Sequence, residues 1–127
     1  MHELSVCQAL LAEVAAVASR HAATAVTDVH VGIGPLSGVE AGLMREAFPV
    51  AAAGTVADGA TLHLRRSDVR VRCTACGAET AARANRLLCG ACGDWRTTLT
   101  AGDELTLERV GMQTEIERTT TGEMAHV

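Results

Sequence analysis

Aromatic side chains are almost missing from this chain. Its 127 residues include no tyrosine, and only Phe48 and Trp95 carry an aromatic ring other than histidine. The core must therefore come from Leu, Val, Ile and Ala, and it will be thin. The length supports one small domain, or one with an inserted module. Positive charge is also short, with a formal net charge of −4. That weighs against a nucleic-acid binder, which needs a basic face. The one basic cluster is the arginines at 65, 66, 70, 72, 83 and 86, which suit solvation of a small module or an acidic partner. No apolar run approaches the roughly 20 residues of a membrane span. The first helix-like segment carries Glu3 and Glu13 with no basic stretch ahead of it, so it does not read as a secretory signal. The chain reads as cytoplasmic and soluble. No P-loop, G-x-G-x-x-G or nucleophile elbow is present, so any nucleotide hydrolysis belongs to a partner.

What is abundant is cysteine at one spacing. Cys73, Cys76, Cys89 and Cys92 read C-x2-C, twelve residues, C-x2-C. Each pair aims two thiolates at one centre, and two pairs complete a tetrahedral four-sulfur shell that suits Zn²⁺. Gly77, Gly90 and Gly93 stand in and around the pairs, where backbone must turn tightly beside sulfur. Two disulfides would need an oxidising compartment. A thioredoxin-like redox site would need only one C-x2-C. The fifth cysteine, Cys7, lies on an apolar helical stripe and reads as a buried structural thiol.

The pattern along the chain reads helix, strand, helix, strand, cysteine module, strand. Residues 3 to 22 carry Leu4, Cys7, Leu10, Leu11, Val14, Val17 and Ala18 at helical spacing. Residues 26–33 alternate as a strand, with Val29, Val31 and Ile33 opposite Asp28 and His30. Ser37-Gly38-Val39-Glu40 matches a capping box, so a second helix is expected from near Gly38, with Pro49 kinking or stopping it. Strands are expected at 60–66 and 103–110, the last returning to the first sheet. His21, His30, His63 and His126 show no paired spacing and read as ordinary surface or strand residues. Trp95 is expected to pack on the cysteine module.

The chain begins Met1-His2-Glu3. An α-amine, a backbone amide and the His2 imidazole can close two adjacent chelate rings on one ion. Nitrogen donors of this kind suit Ni²⁺ and Cu²⁺, and Glu3 adds a carboxylate. The plainer reading of these three residues is a surface histidine beside a glutamate in the first helical turn.

Four segments occur together and in order: M-H-E-L-S at 1–5, V-G-I-G-P-L-S-G-V-E at 31–40, the paired C-x2-C, and G-D-E-L-T-L at 102–107. Together they resemble the HypA/HybF family of hydrogenase nickel-incorporation proteins, over residues 1 to about 112. The resemblance implies an α+β fold. Two helices would lie on a small three-stranded sheet, forming a nickel domain from 1–68 and 98–112. A zinc-ribbon-like module would be inserted at 69–97; beyond the resemblance, residues 113–127 are rich in Thr and Glu and read as a flexible tail. It implies a nickel metallochaperone rather than an enzyme. Met1 and His2 would hold nickel with backbone amides, and Glu3 would support or join the site. Glu40 falls near the nickel in that family, although the S-x-x-E pattern reads it as a helix cap. Cys73, Cys76, Cys89 and Cys92 would hold structural zinc. The implied partners are a HypB-type GTPase, the large subunit of [NiFe]-hydrogenase and, in some organisms, urease maturation factors, with no nucleic acid and no membrane. The rival readings are a zinc-ribbon nucleic-acid module and a zinc-folded interaction adaptor in which His2 is incidental.

Overall fold

The computed structural model describes residues 2–114 and the backbone of 123–126. Helix α1 spans Glu3–Arg20 and buries Cys7, Leu10, Leu11, Val14, Val17 and Ala18 along one stripe. Strand β1 spans Ala23–Ile33, helix α2 Ala41–Ala52 and strand β2 Thr61–Arg66. Strands β3 (Arg70–Cys73), β4 (Glu79–Ala81) and β5 (Thr97–Ala101) follow, then β6 (Leu105–Thr114) and β7 (Glu123–His126).

The strands form two sheets. One has the order β2-β1-β6-β7 and the other β4-β3-β5. The first contains the three expected strands, with β6 returning beside β1. It also gains a fourth strand from a stretch expected to be flexible tail: β7 runs antiparallel to β6, from Arg109 opposite His126 to Met112 opposite Glu123. The rest of that expected tail, 115–122 and 127, lies outside the described residues.

The chain separates into two compact units. The first comprises residues 1–31, 40–64 and 106–127. The second comprises 32–39 and 65–105, and encloses the cysteine module. In the first unit, α1 and α2 pack together. Val29 and Val31 of β1, Val110 and Met112 of β6, and Met44 and Phe48 of α2 are all buried. Phe48, the single phenylalanine, is 2 % exposed and is the largest fully buried side chain. In the second unit, residues 32–39 are tied to the end of the module. Gly34 N–H donates to the Glu104 carbonyl at 2.8 Å, and Leu36 N–H to the Gly102 carbonyl at 2.7 Å. Glycine is required at position 34, because a Cβ there would overlap the Gly102 carbonyl.

Two local expectations are corrected. The start of α2 is not a Ser37 capping box. Glu40 is itself the N-cap residue, and its carboxylate accepts Gly42 N–H at 3.2 Å and Leu43 N–H at 2.7 Å. Ser37 Oγ instead accepts Val39 N–H at 3.3 Å, a local turn bond. Pro49 does not stop α2, which continues to Ala52. Phe48 and Ala52 anchor the last turn by burial, and the Pro49 carbonyl accepts Ala53 N–H at 3.1 Å. The lost bond from Pro49 falls in a turn held by packing.

Phe48→Ala should destabilise the first unit by about 3–5 kcal/mol, read as a lowered denaturation midpoint with bound zinc unchanged.

Candidate metal centres

The cysteine module is two copies of one backbone device. In the first, Gly77 N–H donates to the Cys73 carbonyl at 3.0 Å, and Ala75 and Cys76 N–H groups reach Cys73 Sγ at 3.3 and 3.4 Å. In the second, Gly93 N–H donates to the Cys89 carbonyl at 2.9 Å, and Ala91 and Cys92 N–H groups reach Cys89 Sγ at 3.3 and 3.4 Å. Gly77 and Gly93 adopt φ +78° and +79°, a region open to glycine. β3 delivers Cys73 directly from its last residue. Thr80 Oγ1 accepts Gly90 N–H at 2.8 Å, and Thr97 Oγ1 donates to the Leu87 carbonyl at 2.7 Å, so both flanks of the second turn are tied to strands.

The four sulfurs lie within 4.8 Å of one another. Cys73 Sγ is 3.6 Å from Cys92 Sγ, and Cys76 Sγ is 3.6 Å from Cys89 Sγ. A disulfide is about 2.05 Å long, whereas four thiolates about 2.3 Å from a tetrahedral zinc stand about 3.8 Å apart. The donor set therefore fits zinc. The electrostatics agree. N–H groups of Cys76 and Ala75 hold the Cys73 thiol below its usual range, and those of Cys92 and Ala91 hold Cys89 at about 6. An N–H at Asp94 lowers Cys92, but the neighbouring Cys73 sulfur and burial outweigh it and push that thiol up to about 12. Four adjacent thiols cannot all shed their protons without a cation between them, and a divalent ion supplies that charge.

The N-terminal site is built differently. His2 is the N-cap residue of α1 and is exposed, with no hydrogen bond from its side chain to the helix. The first amides of a helix have no carbonyl one turn back, so the backbone beside His2 offers nitrogen atoms outside the helical ladder. Glu3 is 6 % exposed, and its carboxylate accepts the Glu40 N–H at 3.0 Å. The chain's terminal ammonium first, and then this Glu40 N–H, hold the Glu3 carboxyl well down, at about 2. One buried carboxylate thus joins the start of α1 to the start of α2, across 37 positions of sequence. Both acidic residues singled out here already serve backbone donors: Glu3 receives Glu40, and Glu40 caps α2. Met1 lies outside the described residues.

The sequence profile of one family, described as hydrogenase/urease nickel incorporation, metallochaperone, HypA, matches residues 1–112. The chain belongs to this family. Among curated HypA-family proteins, the hydrogenase maturation factor HypA of Nitrosospira multiformis is 45 % identical over 114 residues, covering 90 % of this chain and 99 % of that one. The HypA of Aquifex aeolicus is 35 % identical, covering 91 % and 100 %. The solution structure of the nickel metallochaperone HypA from Helicobacter pylori superposes with a TM-score of 0.70 at 28 % identity, covering 91 % of this chain and all of that one. HypA proteins are nickel metallochaperones for hydrogenase maturation. The rival readings, a nucleic-acid module or a bare adaptor, are not favoured.

The remaining singled-out residues fall out as follows. Cys7 is fully buried, and its thiol donates to the Met44 carbonyl at 3.7 Å. Burial pushes that thiol's pKa up. Trp95 does not pack on the module: it is 75 % exposed. The turn around it is held by its neighbours instead, with Arg96 on the Asp94 carboxylate at 2.7 Å and Cys89 N–H on the Asp94 carbonyl at 3.0 Å, which leaves the indole outside. His30 and His63, which show no paired spacing in sequence, are stacked on each other. That contact and the Glu3–Glu40 bond are concealed in the sequence, because both join distant positions with no local pattern. No helix among the described residues is long and apolar enough to cross a membrane.

Cys76→Ser or Cys92→Ser should drop bound zinc well below one per chain. It should also raise amide exchange through β3, β4 and β5, since a closed site of this kind contributes on the order of 10 kcal/mol to folding. Metal analysis with hydrogen exchange reads both effects.

Proposed function

We propose that this chain carries Ni²⁺ at its N-terminus and releases it to the large subunit of [NiFe]-hydrogenase, with a HypB-type GTPase as working partner. In organisms that make urease, its maturation factors are a second destination. Nickel is held by the Met1 amine, the His2 imidazole and adjacent backbone amides. Glu3 and Glu40 stand beside it, where they orient the two helix starts. Cys73, Cys76, Cys89 and Cys92 hold one structural zinc. The chain performs no catalysis of its own, acts in the cytoplasm, and needs neither nucleic acid nor membrane. The nickel domain comprises residues 1–68 and 98–112, and the zinc domain 69–97.

The observation that carries this reading is the buried Glu3 carboxylate on the Glu40 N–H, 3.0 Å away. It fixes the backbone just after an exposed His2, so the imidazole is presented beside a braced residue while remaining open to solvent and to a recipient. A metal carrier needs both properties: ordered donors, and an open side from which the ion can leave. Membership of the HypA family supports nickel as the cargo. Imidazole and amide nitrogens suit nickel, and both must be deprotonated to bind it.

The test is a nickel titration of the untagged, zinc-loaded chain beside His2→Ala and a form with extra residues ahead of Met1. Wild type should bind about one tight nickel per chain, and both altered forms should lose that tight binding while keeping zinc. Equal tight binding in all three would remove the N-terminus from the site.

A further inference from the structure

Most arginines of the second unit stand beside a carboxylate. Arg70 and Arg72 share Glu79 at 3.3 and 3.0 Å, Arg96 holds Asp94 at 2.7 Å, and Arg65 acts on Glu104. Arg83 and Arg86 do not. Both are exposed, and neither has an ion pair or a side-chain hydrogen bond among the described residues. Between Glu79 and Asp94 the sequence holds no acidic residue, and those two carboxylates are already engaged.

The fold nevertheless sets these two arginines against each other. After β4 ends at Ala81, Ala82 N–H is tied to the Val69 carbonyl at 3.0 Å, and the chain turns back at once. Arg86 N–H donates to the Arg83 carbonyl at 3.1 Å, and the two residues form an isolated antiparallel bridge. Residues directly opposite in such a pair hold their Cβ atoms roughly 5 Å apart, and like charges placed there repel. Both arginines border a cavity of about 400 Å³, whose apolar wall is Ala81, Ala82 and Leu88. Ligand pockets run from roughly 300 to 1,000 Å³. The bonds from Gly90 N–H to Thr80 and from Thr97 to the Leu87 carbonyl brace the stretch that closes it. Two paired cations beside a formed cavity, with no counter-charge near them in sequence, point to an anion from outside the chain.

We infer that Arg83 and Arg86 form a docking site for an acidic segment of a partner protein, an extended stretch with carboxylates at alternate positions. Charge sets the class, because the planar fork of a guanidinium matches a carboxylate with two parallel hydrogen bonds. Spacing sets the form. Side chains two residues apart on an extended chain leave the same face, roughly 6.5 Å from each other, which suits two arginines at bridged positions. Ala81, Ala82 and Leu88 then cover the aliphatic stems of the acidic side chains. The net charge of −4 repels such a segment from the chain as a whole, so the arginine pair also decides where it lands. The inference does not rest on the nickel reading.

The experiment titrates the full, zinc-loaded chain at low salt with a short blocked peptide of alternating Glu and Ala, followed by amide NMR shifts. A matched Gln and Ala peptide, inorganic phosphate and a uridine oligonucleotide are run beside it. The acidic peptide should move the amides of residues 81–90, and the glutamine peptide should not. Arg83→Gln and Arg86→Gln should each weaken binding roughly 3- to 10-fold, and together abolish it, with zinc content unchanged. Arg66→Gln, which alters an exposed arginine outside the cavity, should bind as wild type does. The inference is overturned if the acidic peptide moves no amides, or moves chiefly those elsewhere. It is overturned equally if the glutamine peptide binds as well, or if Arg66→Gln loses as much as the cavity variants. Phosphate or the oligonucleotide binding these amides as tightly as the acidic peptide would also overturn it, by making the occupant a general anion or a nucleic acid.

Discussion

Four sulfurs within 4.8 Å of one another are the constraint on which the second unit depends. Its sheet has three strands, of four, three and five residues, which is little structure to support a fold. Few of its side chains are buried: Ile33, Val69, Val71, Cys73 and Cys89 are the hydrophobic ones, and two of these five belong to the four-sulfur cluster. Ion pairs such as Arg70 and Arg72 on Glu79 are solvent-exposed and add little. Small modules of this kind are held by a metal where the core cannot do it. Many local features serve that end: Gly77 and Gly93 at positive φ, the N–H groups aimed at Cys73 and Cys89, and the threonines that pin the turns.

The first unit is constrained in the opposite sense. Its core is apolar and complete enough to hold two helices and a sheet, so His2 is free to be exposed. Among the described residues one acidic side chain is buried, Glu3, and it serves positioning: it ties the start of α1 to Glu40 and leaves His2 in solvent. Thiolates surrounded by backbone N–H groups in a closed shell retain zinc. Nitrogen donors at a chain end, with one side open, are suited to let an ion go. On the proposed reading, retention and release fall to different chemistry in different units of one short chain.

Much of this was legible in the sequence, for physical reasons. The C-x2-C pairs announce a knuckle because two residues are what a tight turn needs to aim both sulfurs inward. The alternation of Val29, Val31 and Ile33, and the helical stripe from Cys7 to Ala18, report burial directly. Other features were hidden. Ser37 and Glu40 have capping-box spacing, yet Glu40 caps the helix itself, since a glutamate placed just before the first turn can reach two backbone donors. Pro49 was a stop signal overruled by the packing of Phe48 and Ala52. Trp95, just past the last cysteine, reads as packing on the module, but the Asp94–Arg96 pair shapes that turn and leaves the ring outside. The Glu3–Glu40 bond and the His30–His63 stack required the fold, because strand order and helix packing alone bring those residues together.

The central claim is the contrast in lability between the two metal centres. The direct measurement is to load one protein sample with both nickel and zinc, mix it with excess chelator, and follow the loss of each metal over time. The account predicts fast loss of nickel, with zinc and the β3–β5 sheet intact long afterwards. Loss of both metals together, or of zinc first, would contradict it.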